Sequence, residues 1–83
     1  MSTQTLDLTG LACPEPVLKT NRAIKELIPG ETLEVLVTDP DAPIDIDEMC
    51  RTVGHEVIAR RRAGHVTRLS IRRQGMSENF RAA

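Results

Sequence analysis

Proline interrupts this chain at three places, and those places dictate what it can fold into. They are Cys13-Pro14-Glu15-Pro16, Pro29-Gly30 and Asp39-Pro40-Asp41-Ala42-Pro43. Proline has no amide hydrogen to donate, and its ring clashes with the preceding helical turn, so no helix passes through any of them. A helix can begin on proline, because the amides of its first turn have no partner anyway. Helices are therefore expected to start at the first and third sites, and Pro29-Gly30 is expected to end one. Between the second and third sites lies Leu33-Glu34-Val35-Leu36-Val37-Thr38, the most apolar run in the chain. Such a run is expected of a central strand.

The remaining elements follow from periodicity. Thr5-Leu6-Asp7-Leu8 alternates and reads as a short strand, with Thr9-Gly10-Leu11-Ala12 as the turn after it. The first helix is expected to run from the paired prolines to about Ile28, with Val17, Ile24, Leu27 and Ile28 on one face and Leu18 at its margin. In the second helix Ile46, Met49, Cys50 and Val53 form an apolar stripe, and Gly54 stops it. Asp41 is its expected N-cap, and Asp45 and Asp47 complement the positive helix start. Glu56 to Arg62 and Thr67 to Arg73 read as two strands joined by an Ala63-Gly64-His65 turn. The order is β-α-β-α-β-β. The first two strands, joined through a helix, are expected to be parallel with a right-handed crossover. Each helix has one apolar face, so both belong on one side of the sheet. The fold class is α+β: a two-layer sandwich of a four-stranded mixed sheet with two helices on one face. Residues 1–75 are expected to form a single domain, with 76–83 as a disordered tail lacking any pattern.

At 83 residues there is little room for a deep internal site, so chemistry belongs near a loop or helix end. The net charge of -1 points to neither nucleic acid nor membrane. Phe80 is the sole aromatic residue, which removes base stacking as a mode of nucleic-acid recognition and makes the core aliphatic. Seven of the 11 Lys and Arg residues lie from Arg60 onward, giving a basic strand region opposite an acidic first half. This is either a solvated sheet face or a docking patch. The amino-terminal residues lack a hydrophobic run and no stretch could span a bilayer, so a cytoplasmic location is expected. No apolar surface pattern demands a dimer, and a monomer is expected.

Cys13 is the residue best placed for chemistry. A helix start carries partial positive charge and unpaired amides, both of which favour a thiolate. Glu15 opposes this, and Pro14 has no amide to donate. Pro14 and Pro16 stiffen the segment and set the helix-start geometry. Cys50, on an apolar stripe, reads as a core residue. Cys13, Cys50, His55 and His65 lack paired metal-ligand spacing, so no metal is expected. His55 and His65 read as turn residues. If the first two strands are parallel, Asp39 ends the second beside the Cys13 loop, at the sheet edge where functional sites of α/β sheets gather.

Leu8-Thr9-Gly10-Leu11-Ala12-Cys13-Pro14-Glu15-Pro16 resembles the TusA-like, or SirA-like, sulfur carrier family, whose hallmark is G-x-x-C-P-x-P at the start of the first helix. The resemblance continues through Pro29-Gly30-Glu31, Thr38-Asp39-Pro40, Cys50, Gly54-His55-Glu56 and Ile71-Arg72-Arg73. It implies the same β-α-β-α-β-β sandwich and a sulfur carrier that holds a persulfide on Cys13. It also implies a cysteine desulfurase or rhodanese-type donor and a sulfur-acceptor protein as partners. Acceptor routes in the family include tRNA thiolation, molybdoenzyme maturation and sulfur oxidation. By the same carry-over Glu15 and Asp39 face partners, while Gly10 and Cys50 are structural. Where some members carry Arg before the cysteine, this chain has Ala12, which lowers the local positive charge. Persulfide transfer resembles thiol-disulfide exchange, so no cofactor is expected. Two other readings stand beside it. One is a regulatory or adaptor module that binds a protein without moving sulfur. The other is a redox switch between Cys13 and Cys50, which requires their Cα atoms to lie within about 7 Å.

Overall fold

A computed structural model describes residues 3–74. The expected tail at 76–83 lies outside them. The elements are β1 (Thr3–Leu8), α1 (Glu15–Ile24), β2 (Thr32–Val37), α2 (Ala42–Val53), β3 (Glu56–Ala63) and β4 (Val66–Arg72). They form the expected two-layer α+β sandwich. The sheet order is β1-β2-β4-β3, with β1 parallel to β2 and the other neighbours antiparallel. The apolar run of β2 is central, as its composition requires, and β4 fills the place beside it.

Alternation puts Leu33, Val35 and Val37 of β2 and Leu69 and Ile71 of β4 on the helix side of the sheet, all buried. Ile24, Leu27, Ala42, Ile46 and Cys50 close over them. Each Val, Leu or Ile side chain buried there contributes about 1.5–3 kcal/mol relative to exposure. The other face is open. There Arg68 pairs with Glu34 and Arg72 with Glu56, both at 3.0 Å, so two of the clustered basic residues are neutralised within the sheet.

Three expectations need correction. Helix α1 ends at Ile24, not Ile28, because the next amides turn more tightly: those of Glu26 and Leu27 donate to the carbonyls of Ala23 and Ile24. The Arg73 guanidinium, at the end of β4, donates to the carbonyls of Ile24, Lys25 and Leu27 that the helix leaves open. Second, the buried stripe of α1 runs Pro16, Thr20, Ile24 and on to Leu27, while Val17 is half-buried and Ile28 exposed. The stripe starts at a proline and crosses a threonine, residues that hydrophobic periodicity passes over. Third, Val53 at the end of the α2 stripe is exposed.

The strand β3 carries a register shift between Val57 and Ala59. Beyond it Arg60 lies opposite Leu69, on the helix side, and reaches Asp47 of α2 at 3.4 Å. The hairpin closes with Ala63 facing Val66 across Gly64-His65, and Gly64 takes φ of +64°, a conformation that favours glycine.

Candidate functional site

Parallel pairing brings Leu8 level with Val37, so the chain leaves β1 and β2 at the same sheet edge. The Asp7 carboxylate turns the first exit by accepting the amide and hydroxyl of Thr9, at 3.0 and 2.7 Å. Gly10, at φ +86°, donates its amide to the Thr38 hydroxyl at 2.8 Å. The amide of Cys13 then donates to Asp39 Oδ2 at 2.8 Å, while Asp39 Oδ1 accepts the amide of Asp41 at the same distance. One carboxylate thus shapes both loops. The Cys13 amide first, and the Asp41 amide next, hold the Asp39 carboxyl below the usual carboxylate range. The Cys13–Pro14 peptide is cis, Pro14 takes the N-cap position, and α1 proper starts at Glu15.

The partner of the sulfur itself is Asp45. Cys13 Sγ donates to Asp45 Oδ2 at 3.1 Å, from one loop to the first turn of α2. The sequence sets the helix start against Glu15 without deciding between them, and the structure adds an acceptor at the sulfur itself. The Cys13 thiol is pushed up to about 11, chiefly by the hydrogen bond to Asp45, then by partial burial, then by the charges of Asp39, Asp45 and Asp41. The helix start offers little to compensate. Pro14 and Pro16 have no amide hydrogen, and the amide of Glu15 donates to the Ala12 carbonyl at 3.0 Å. The carboxylates around the sulfur thus favour the thiol over the thiolate.

The other singled-out residues separate by place. Pro14 and Glu15 are exposed beside Cys13, while Pro16 is buried and joins the core. Cys50 is fully buried, and burial, helped by Asp47, pushes its thiol up to about 11. Both cysteines are free. His65 sits in the exposed hairpin, and His55 Nδ1 accepts the Gln74 amide at 3.2 Å. Among the described residues no three His, Cys, Asp or Glu side chains are grouped to hold a metal ion. Sequence reasoning gave Asp45 only a helix-start role. Its available signal was its place in the first turn after Asp39-Pro40, the turn that already met the Cys13 loop.

From Pro14 and Asp45 an open groove runs between the helices, lined by Val17, Leu18, Met49 and Val53. Leu18 is 56% and Val53 43% exposed, so the groove presents apolar surface next to the sulfur. The arrangement offers one partly accessible thiol on a tightly hydrogen-bonded loop, beside an open groove.

The family profile described as Sulfurtransferase TusA matches residues 4–73. A protein of Neisseria meningitidis serogroup A, named "Putative sulfur carrier protein", is 43% identical over 58 residues, covering 70% of this chain and 78% of its own. A Bacillus subtilis protein with the same descriptive name is 38% identical over 80 residues. That alignment covers 94% of this chain but only 43% of the longer relative. Among solved structures, the crystal structure of a SirA-like protein from Desulfitobacterium hafniense superposes with a TM-score of 0.77 at 25% identity. It covers 86% of this chain and 97% of that one. No helix among the described residues is long and apolar enough to cross a membrane.

Proposed function

The chain belongs to the TusA sulfurtransferase family, and from that membership we propose that it carries sulfur as a persulfide on Cys13 and relays it to an acceptor protein. The observation that supports this most directly is the contrast between its two cysteines. Cys13 is partly open to solvent on the loop, while Cys50 is closed inside the core. Charging is an exchange at sulfur: Cys13 attacks the outer sulfur of a donor persulfide and the donor leaves as a thiol. The donor is a cysteine desulfurase or a rhodanese-type protein, and each carrier molecule takes one sulfur and gives it up again. Acceptors belong to tRNA thiolation, molybdoenzyme maturation or sulfur oxidation. Glu15 and Asp39 lie at the rim from which a partner approaches Cys13, and a reducing cytoplasm keeps the thiol available. One observation favours the adaptor reading instead: Cys13 Sγ donates to Asp45 Oδ2 at 3.1 Å, a contact that disfavours the nucleophilic thiolate.

The test is direct. The protein is incubated with a cysteine desulfurase and cysteine, and in parallel with a thiosulfate-charged rhodanese, and peptide masses are recorded after thiol alkylation. One reductant-labile sulfur is expected on the Cys13 peptide, lost in Cys13→Ser and retained in Cys50→Ser. Equal loss in both variants refutes the single-site reading. No uptake from either donor by a protein whose Cys13 is a confirmed free thiol leaves the adaptor reading in its place.

A further inference from the structure

The carboxylates around the Cys13 sulfur act to hold a proton on it. The amides next to the sulfur in the chain are not aimed at it: that of Cys13 donates to Asp39, that of Glu15 to the Ala12 carbonyl, and Pro14 and Pro16 have none. What meets Sγ is an acceptor, Asp45 Oδ2, at 3.1 Å. The charges acting on the sulfur come from Asp39 at the end of β2, Asp41 in the following turn and Asp45 in the first turn of α2, all of them carboxylates. Glu15 opens α1 one residue beyond Pro14. Asp39 is occupied with two loop amides, which leaves Asp45 as the carboxylate that engages the sulfur itself.

We propose that Asp45 is a gate on Cys13, holding it as a thiol in the free protein so that it enters exchange only when that hydrogen bond is broken or the Asp45 charge is countered. The biological use of the gate rests on the persulfide-carrier reading. A protein that meets many small sulfur and electrophilic species benefits from a nucleophile that is quiet until docked. A partner with a cationic side chain beside its own reactive sulfur supplies the countercharge. With the gate open, Cys13 loses its proton and its sulfur attacks the outer sulfur of the donor persulfide. The new Sγ–S bond forms as the donor S–S bond breaks, and the electron pair leaves on the donor sulfur. The Cys13 proton ends on that departing thiolate, so no oxidant or reductant is consumed.

The experiment compares wild type, Asp45→Asn and Asp45→Glu. The rate at which iodoacetamide alkylates the Cys13 peptide is followed by mass across pH 6–10. Asp45→Asn removes the charge and keeps the side-chain shape. It is expected to move the rising limb of the pH-rate profile down by about one pH unit, making alkylation at pH 7.5 about threefold faster, since the tenfold gain in thiolate is partly offset by its lower nucleophilicity. Asp45→Glu restores a carboxylate and is expected to stay near wild type. Superimposed wild-type and Asn profiles, a slower Asn variant, or a Glu variant as fast as Asn each overturns the gate. So does a uniform gain at all pH values with the limb unmoved, since that is the mark of a loosened loop and not of a changed protonation equilibrium. Alkylation needs no sulfur donor and therefore judges the gate alone. In a second arm the same proteins are treated with a charged desulfurase and with a thiosulfate-charged rhodanese. If none takes up sulfur while the alkylation profile shifts, the gate stands and the carrier reading fails.

Discussion

Thr20 lies fully buried between helix and sheet, and its hydroxyl has no hydrogen-bond partner among the described residues. A buried hydroxyl without a partner gives up its hydration for nothing in return. Valine has nearly the same shape and keeps the β-branch. Thr20→Val is therefore expected to stabilise the protein by about 1 kcal/mol, read as a higher urea midpoint at unchanged slope. Asp39 shows the opposite treatment of a polar side chain. Both of its oxygens accept loop amides, so its charge serves the structure that holds Cys13 in place. The distinction between these two residues is set by their surroundings. Thr20 meets an aliphatic core, whereas Asp39 meets the amides of two loops.

At the scale of elements, α1 depends on a residue far from it in the chain. Arg73 donates to carbonyls that the last turn of α1 and the turn after it leave open. Hydrogen bonds from a charged donor to partly buried carbonyls contribute about 1.5–3 kcal/mol. Arg73→Ala is expected to lower stability by about that amount in urea unfolding, and Arg73→Lys to recover only part of it, since all three bonds leave from Nη1 and the lysine stem ends one bond short of that position. Strands and their order of appearance were legible because alternation and proline breaks are local signals. Asp39 near Cys13 was legible too, because parallel pairing follows from a helical crossover. The true extent of α1 was not, because its end depends on Arg73, 49 residues beyond Ile24. Asp45 was missed for the same reason. It lies 32 residues from Cys13, and an aspartate in a first helical turn already has a sufficient local explanation. The β3 bulge was equally hidden, since nothing in Val57-Ile58-Ala59 announces which residue steps out of register.

For the whole molecule, a chain of 83 residues is expected to have a net stability of roughly 4–12 kcal/mol, so small linked equilibria are visible in it. Both thiols are raised to about 11 in the folded state. In the unfolded chain they ionise near ~8.5. Below that pH both states keep these protons and the thiols have no effect on the pH dependence. Between about pH 8.5 and 11 the unfolded chain has released protons that the folded chain still holds, so rising pH favours unfolding. The urea midpoint is expected to fall across this window, and less so in Cys13→Ser, where one of the two linked groups is gone. A midpoint flat from pH 8 to 10.5 contradicts the protonated resting state. The order of the sheet has a different consequence, for the protein as it is made. β4 is the last of the described strands to be synthesised, yet it sits between β2 and β3. While the nascent chain grows on the ribosome, the edge of β2 that β4 will occupy stays open, with Leu33, Val35 and Val37 lacking part of their cover. An open apolar strand edge is a template for pairing with another chain. Whether a newly made molecule becomes a carrier or an aggregate therefore depends on how soon its last strand arrives.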